Sequence, residues 1–251
     1  MIMIANLQYS WTLFVKPLMA AHHWKLSDVQ WAFSLFIACQ TWFMPCSGWL
    51  IDKMGPRKFM TIAGALCGIG WASLSQANTL TALYAFYAAA GIGASLVYCG
   101  SMGVALKWFP DKRGLAAGIT SAAFGSGTAL FIPIIAHIVK VSDYRTAFLY
   151  TGIGQGLLIV CAAQLLRNPA PGEVSAGPVV AQKKIRLHSE EFSAAQMLRT
   201  PDFYIMYVRM LVMGIGGLMV SANINPLSGS YMIGAAALTV ALSMNPIANG
   251  A

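Results

Sequence analysis

The sequence predicts an all-α integral membrane protein, and three observations carry that expectation. Hydrophobic residues make up 57% of the 251 positions and charged residues only 10%, where a soluble domain carries roughly a quarter charged. A soluble core of this size would still need a charged surface, whereas helices that face lipid do not. The apolar residues also fall in runs long enough to cross a hydrocarbon layer about 30 Å thick, which takes roughly 20 residues. Finally, the basic residues behind the net charge of +8 sit in short clusters between those runs. A multi-pass membrane protein carries its charge that way, and a nucleic-acid-binding face does not. The expected partner is therefore the lipid bilayer, with no nucleic acid.

Runs bounded by polar breaks give eight candidate spans, at about 1-20, 28-51, 57-76, 80-107, 112-139, 145-166, 202-224 and 230-251. The first has only 15 residues before Lys16-Pro17, and the last meets the final residue without a closing loop, so both ends are expected to be cut. A signal peptide would need a basic region before its apolar core, and none precedes this one. Orientation follows from lysine and arginine. With residues 52-58 cytoplasmic, that side collects eleven basic residues (Lys53, Arg57, Lys58, Lys107, Lys112, Arg113, Arg167, Lys183, Lys184, Arg186 and Arg199) against four on the other (Lys16, Lys25, Lys140 and Arg145). The expectation is a multi-pass protein of the cell's inner (plasma) membrane with residues 52-58, 107-113 and 167-199 in the cytoplasm.

Three parts follow: six spans over 1-167, a hydrophilic linker over 168-199, and the start of a second span group over 200-251. The first stretch of the linker holds three prolines and two glycines and reads as flexible. Ser193 and Gln196 then stand at capping-box spacing, which predicts a short surface helix. Thr200-Pro201 supplies a cap and a first-turn proline for the seventh span. Six spans, a linker and further spans is the plan of a two-lobed transporter. The five cysteines, Cys39, Cys46, Cys67, Cys99 and Cys161, all fall in apolar runs without metal-ligand spacing and read as small buried hydrophobes. No nucleophile-base pair, metal cluster or nucleotide loop stands at usable spacing, so neither an enzyme nor a resident cofactor is expected.

The turn after the second span reads "GWLIDKMGPRK". Gly48 would let a neighbouring helix approach, Gly55 permits a tight reversal, and Lys53, Arg57 and Lys58 hold the loop on the cytoplasmic side. Asp52 lies at a helix's C-terminal end, where the dipole has the wrong sign, so it needs a cation or another helix's N-terminus. Gly48-x-x-x-Asp52-Lys53-x-Gly55-Pro56-Arg57-Lys58 resembles the loop between helices 2 and 3 of the major facilitator superfamily. The resemblance implies a fold of a six-helix N-terminal lobe, a linker and the first two helices of the C-terminal lobe. It also implies that Asp52 ties the two lobes together in one state and releases them in the other.

"KWFPDKRGLAAG" from Lys107, "QMLRTPDF" from Gln196 and "QYSW" from Gln8 are similar to the oxalate/formate antiporter group of that superfamily, with monocarboxylate porters as more distant relatives. In span 1, Gln8 and Trp11 are three apart and hence on one helical face. Two readings stand for Gln8 and Tyr9. They donate hydrogen bonds to a carboxylate substrate, as the resemblance implies, or they form an interhelical polar tie with aromatic packing. Tyr98 in "LVYCG" matches a substrate-lining position of the family, and Phe124 in "AAFGSG" stands where the antiporter pattern has a tyrosine. The substrate-lining set is thus Gln8, Tyr9, Trp11, Tyr98 and Phe124.

Between Met1 and Arg167 no acidic residue lies deep in a span, and His137 is the only span histidine. Proton coupling commonly needs such a carrier, so exchange of one anion for another fits better. Arg209, about eight residues or roughly 12 Å into span 7, either snorkels to the interface or faces an anion. The resemblance places the family's basic ligands on helices 8 and 11, and because "NPIANGA" resembles the stretch just before the helix 8 arginine, both are expected past Ala251. The functional expectation is alternating-access antiport of small organic anions, mono- or dicarboxylates such as oxalate and formate, by a protein monomeric when complete. A monocarboxylate porter and an inactive truncated fragment are the alternatives.

Overall fold

The computed structural model describes residues 1–170, 173, 198–231, 234, 237, 240–242 and 244. Among them, every regular element is helical. The expected surface helix at Ser193 to Gln196 lies outside the described residues, as does most of the eighth span.

The first expected span is two helices, α1 (Ile2–Tyr9) and α2 (Trp11–His22), joined at Ser10. Ser10 keeps a helical backbone, but its hydroxyl and its N–H both donate to the Asn6 carbonyl, at 2.5 and 2.8 Å. Such back-bonding bends a helix without ending it. The second span is likewise divided, into α3 (Leu26–Trp42) and α4 (Met44–Met54). Pro45 stands in the first turn of α4 and has no N–H to continue the ladder from α3, so the chain restarts at Phe43. Gly55 then takes φ 77° and ψ 158° and reverses the chain into α5 (Pro56–Ser73), which runs on into a 3-10 turn (Leu74–Gln76). Only glycine adopts that backbone without strain, in keeping with the tight reversal expected there.

Helix α6 (Leu80–Trp108) is capped by Thr79, whose hydroxyl accepts from the Ala82 N–H. Helix α7 (Arg113–Val141) carries Pro133 inside it, and α8 (Tyr144–Gln164) is opened by the Asp143 carboxylate, which accepts from the Tyr144 N–H at 2.7 Å. Pro201 opens α9 (Pro201–Ser230) at the expected place, although this helix runs past the expected end at 224. Uninterrupted helices long and apolar enough to cross a membrane are α6, α7, α8 and the Pro201–Ile224 part of α9.

Helix α5 is the centre of the bundle, packed along α6 on one side and α8 on the other, while α3 packs on α6 and α1 on α7. Backbones approach this closely because there is no Cβ at the crossings. A Cβ on Gly68 would lie 2.6 Å from the Gly156 Cα, one on Gly152 2.6 Å from the Ala72 nitrogen, and one on Gly93 2.5 Å from the Cys67 nitrogen. Gly64 and Gly68 on α5, and Gly152 and Gly156 on α8, each four residues apart, form this small-residue helix contact. The same spacing at Gly114 and Gly118 meets open space, and so does Gly48, where a close helix approach was expected.

Aromatic rings fill the space these crossings enclose. Tyr87 stacks on Trp11 with ring centres 4.3 Å apart and on Phe36 at 4.4 Å, and Phe14 stacks on Phe148 at 3.9 Å with Trp71 edge-on to both. Two hydrogen bonds satisfy the polar tips, Tyr87 Oη to the Leu7 carbonyl at 2.8 Å and Trp71 Nε1 to Thr151 Oγ1 at 2.9 Å.

Polar networks then mark the two ends. At one, the Asp52 end, Lys107 bonds Asp52 and Trp108 Nε1 donates to the Arg167 carbonyl at 2.8 Å. At the other, Arg145 donates to Asn78 at 2.8 Å and to Tyr144 Oη at 3.1 Å. The Tyr144 hydroxyl lies 3.0 Å from His22 Nε2, and His22 stacks on Trp24 at 4.3 Å. With Tyr144 Oη accepting from Arg145, its own proton goes to a neutral His22. Burial, and then the Arg145 charge, hold the His22 imidazole below its ordinary pKa.

Two outcomes test this frame. Gly68→Val should destabilise the protein by about 1–3 kcal/mol through forced separation of α5 and α8, whereas Gly154→Val, in open space, should leave thermal unfolding in detergent near wild type. Because the folded state holds His22 below its unfolded pKa, the unfolded chain binds the extra proton first. The melting temperature should therefore fall as pH drops from about 7.5 to about 5.5, and His22→Gln, which can still accept from Tyr144, should flatten that slope.

Candidate functional site

Three of the residues singled out by sequence meet in the structure. The Phe124 ring of α7 lies edge-on between Tyr9 of α1, at 6.1 Å and 62°, and Tyr98 of α6, at 5.7 Å and 89°. All three side chains are half-buried, as is Gln8 beside them. The chain is placed for this by the Ser10 joint, one residue past Tyr9, and by close contact of α1 with α7: a Cβ on Gly127 would run into the Ile2 carbonyl. Gln8 makes no hydrogen bond to another described residue, so its amide is available to a ligand. Two phenol hydroxyls and one carboxamide beside positively polarised ring edges can hold a small carboxylate, by donated hydrogen bonds that strengthen when the acceptor is charged.

Trp11 does not join this set. It is 0% exposed and stacked on Tyr87 within the core, and its indole N–H finds no partner among the described residues. Three residues along a helix turn a side chain by about 300°, close to Gln8 but rotated enough to leave the half-buried face. Trp11 anchors the start of α2 in the core, just past the joint that ends α1, and Gln8 and Tyr9 precede it on the half-buried side.

In the loop that carries Gly48 to Lys58, the Asp52 carboxylate accepts from Lys107 Nζ at 2.8 Å. Lys107 lies on α6, so the cation that the helix dipole argument required comes from within the six-helix group and not from across it. Lys53 lies over the Trp49 ring at 5.0 Å, and Arg57 and Lys58 are exposed. On the same end Arg167 forks onto Glu173 with bonds of 2.7 and 2.5 Å. These, with the Ala170 N–H, push the Glu173 carboxyl down to about 2. Arg209 and His137 are exposed, and no group of metal-ligating side chains occurs among the described residues.

Sequence reasoning missed the Tyr87–Phe36 stack, the Lys107 partner of Asp52 and the His22–Tyr144–Arg145 network. Each joins residues more than 50 positions apart, and only the aromatic content of spans 1 to 4 signalled any of them.

Comparison with known proteins meets this geometry. The Major Facilitator Superfamily model matches residues 1–250. The chain is 38% identical over 250 residues to the oxalate:formate antiporter of Oxalobacter formigenes, covering 100% of this chain and 58% of that protein. Monocarboxylate transporter 13 of Rattus norvegicus is 25% identical over 235 residues, 92% of this chain and 54% of its own. An uncharacterised MFS-type transporter of Escherichia coli, YhjX, is 24% identical over 216 residues, 84% of this chain and 51% of its own. The chain thus spans about half the length of the relatives it matches. A helical membrane fold with the Gly55 reversal after its second span, matched by the family model along its length, makes this chain a member of the major facilitator superfamily.

Proposed function

We propose that this chain carries the first lobe, and the beginning of the second, of an alternating-access exchanger of small organic anions, mono- or dicarboxylates such as oxalate and formate. The observation that carries the reading is the meeting of Tyr9, Phe124 and Tyr98 beside a Gln8 amide that bonds no other described residue. The oxalate:formate antiporter among its relatives supports the substrate class. The lobes rock about a site at mid-depth, where the anion trades water for hydroxyl and amide donors. Trp11 keeps the site helix in register from behind. The first-span end carrying Asp52, Lys107 and Arg167 faces the cytoplasm of a plasma-membrane protein, by the excess of basic residues there. The 52–58 loop then works as a gate element, with Asp52 exchanging Lys107 for a partner on the second lobe during the cycle.

Phe124 favours a second reading within the same class. It lacks the hydroxyl of the tyrosine that the antiporter pattern has, and one donor fewer suits a monocarboxylate better than a dianion. A monocarboxylate transporter is also among the relatives.

Gln8→Ala should weaken carboxylate binding roughly tenfold, the worth of one hydrogen bond to a charged group, with the melting temperature unchanged. Binding is read by competition against labelled formate in reconstituted protein, and unchanged binding would remove Gln8 from the site. Phe124→Tyr should raise preference for oxalate over formate by a similar factor; no change in that ratio would sink the specificity argument. Asp52→Asn should slow exchange while lowering stability by less than about 1 kcal/mol, because its partner is solvent-exposed. A normal exchange rate would make the pair purely structural.

A further inference from the structure

Among the described residues, one polar contact between the two lobes lies at the end opposite Asp52. Helix α3 begins there at Leu26, so Gln30 is one turn in; α9 starts at the Asp52 end, and Ala222 lies about 30 Å along it. Gln30 Nε2 donates to the Ala222 carbonyl at 3.0 Å and approaches Asn223 Oδ1 at 3.5 Å, while Asn223 Nδ2 is held by the Met219 carbonyl. Gln30 Oε1 is buried without a partner among the described residues. Gln30 also lines a cavity of about 480 Å³ between α3 and α9, together with Phe33, Leu218 and Met219. A second contact lies toward the site. Ile132 of α7 and Leu242 are 0% and 3% exposed and pack together with Leu13, Ile224 and Tyr9. Leu13 is one turn past Tyr9 and Ile132 two turns past Phe124, both in the direction of the Gln30 end. This apolar layer therefore covers the Tyr9–Phe124–Tyr98 set on that side.

We propose that Gln30 is an inter-lobe latch that, above the Leu13–Ile132–Ile224–Leu242 seal, holds the end opposite Asp52 shut. Its place in a transport cycle rests on the exchanger reading above; the latch itself rests on the geometry. A carboxamide suits the task. It is uncharged, so breaking the bond exposes no ion, and the bond is weak net of the water it displaces, which lets the end reopen. The freed Nε2 and the Ala222 carbonyl would take water when the lobes part. On the Asp52 end the Asp52–Lys107 pair lies within one lobe, whereas the Gln30 bond crosses from one lobe to the other.

The test is a spin-label distance between Ser27→Cys and Tyr231→Cys, both exposed positions at the latched end, in the full chain in lipid nanodiscs with its native cysteines replaced. Gln30→Ala should move most of the distribution to a longer distance. Gln30→Glu at about pH 7.5 should do the same, because a carboxylate cannot donate to the Ala222 carbonyl. At about pH 4, below the usual carboxyl pKa, the protonated side chain donates again and the short distance should return. Gln30-intact protein at both pH values controls for His22. A distribution unchanged in both variants would overturn the latch, and so would a Glu variant that stays long at low pH, since that would make the residue mere packing. If the distances respond but reconstituted protein exchanges no carboxylate, the exchanger reading fails and the latch stands; if carboxylate is exchanged while the distances stay invariant, the latch fails and the exchanger reading stands.

Discussion

The rest of this fold depends on backbone meeting backbone where α5 crosses α8 and α6. In lipid there is no hydrophobic drive to press helices together, so their association comes from close van der Waals packing and a few polar ties. Gly68 against Gly156, Gly152 against Ala72 and Gly93 against Cys67 allow that approach, each leaving no room for a methyl group. Once α5 is held this way, the space around it is narrow and continuous, and large rings fill it in stacked and edge-on pairs. Trp71 shows how the two kinds of contact combine, with its ring among Phe14, Phe148 and Tyr87 and its N–H on Thr151 of α8.

That core decides what the first span can present. Tyr87 grips the first span on both sides of its joint, by bonding the Leu7 carbonyl of α1 and by stacking on Trp11 of α2. With the helix fixed from behind, Gln8 and Tyr9 are left on the side toward α7, where Phe124 and Tyr98 meet them. The joint at Ser10 falls between the two gripped residues, directly after the presented Gln8 and Tyr9. The proposed site is thus held in place by residues buried behind it, and the division of span 1 into α1 and α2 puts a bend directly beside Tyr9.

The two ends of the bundle use charge differently. Around Asp52, exposed pairs such as Lys107–Asp52 and Arg167–Glu173 gather near the basic loops, where they cost little to rearrange. At the opposite end, His22, Tyr144, Arg145 and Asn78 knit three connections of the first lobe into one partly buried network, and the neutral amide of Gln30 reaches across to α9. A firm first-lobe rim with a weak neutral tie is what the proposed latch requires of this end.

Periodicity, charge clusters and the Gly55 loop were enough to read helical membrane spans, the family and most of the span limits from the chain alone, because each is a local property: apolar length, the reach of a proline, a glycine's freedom at positive φ. The aromatic residues Tyr9, Tyr98 and Phe124 were legible as candidates through the family resemblance of the motifs that carry them. What only the tertiary structure decided was partnership. Trp11 and Gln8 differ little in helical angle, and which of them turns to the core depends on where Tyr87 stands, some 80 positions away. Gly48 and Gly68 look alike in sequence, yet only Gly68 has a helix against it. Asp52 announced its need for a cation through the dipole of its own helix, but the choice of Lys107 over a partner in the second lobe came from α6 lying beside α4. Sequence spacing states what a residue requires of its surroundings; which residue supplies it depends on distances between helices, and those are set by the packing of the whole bundle.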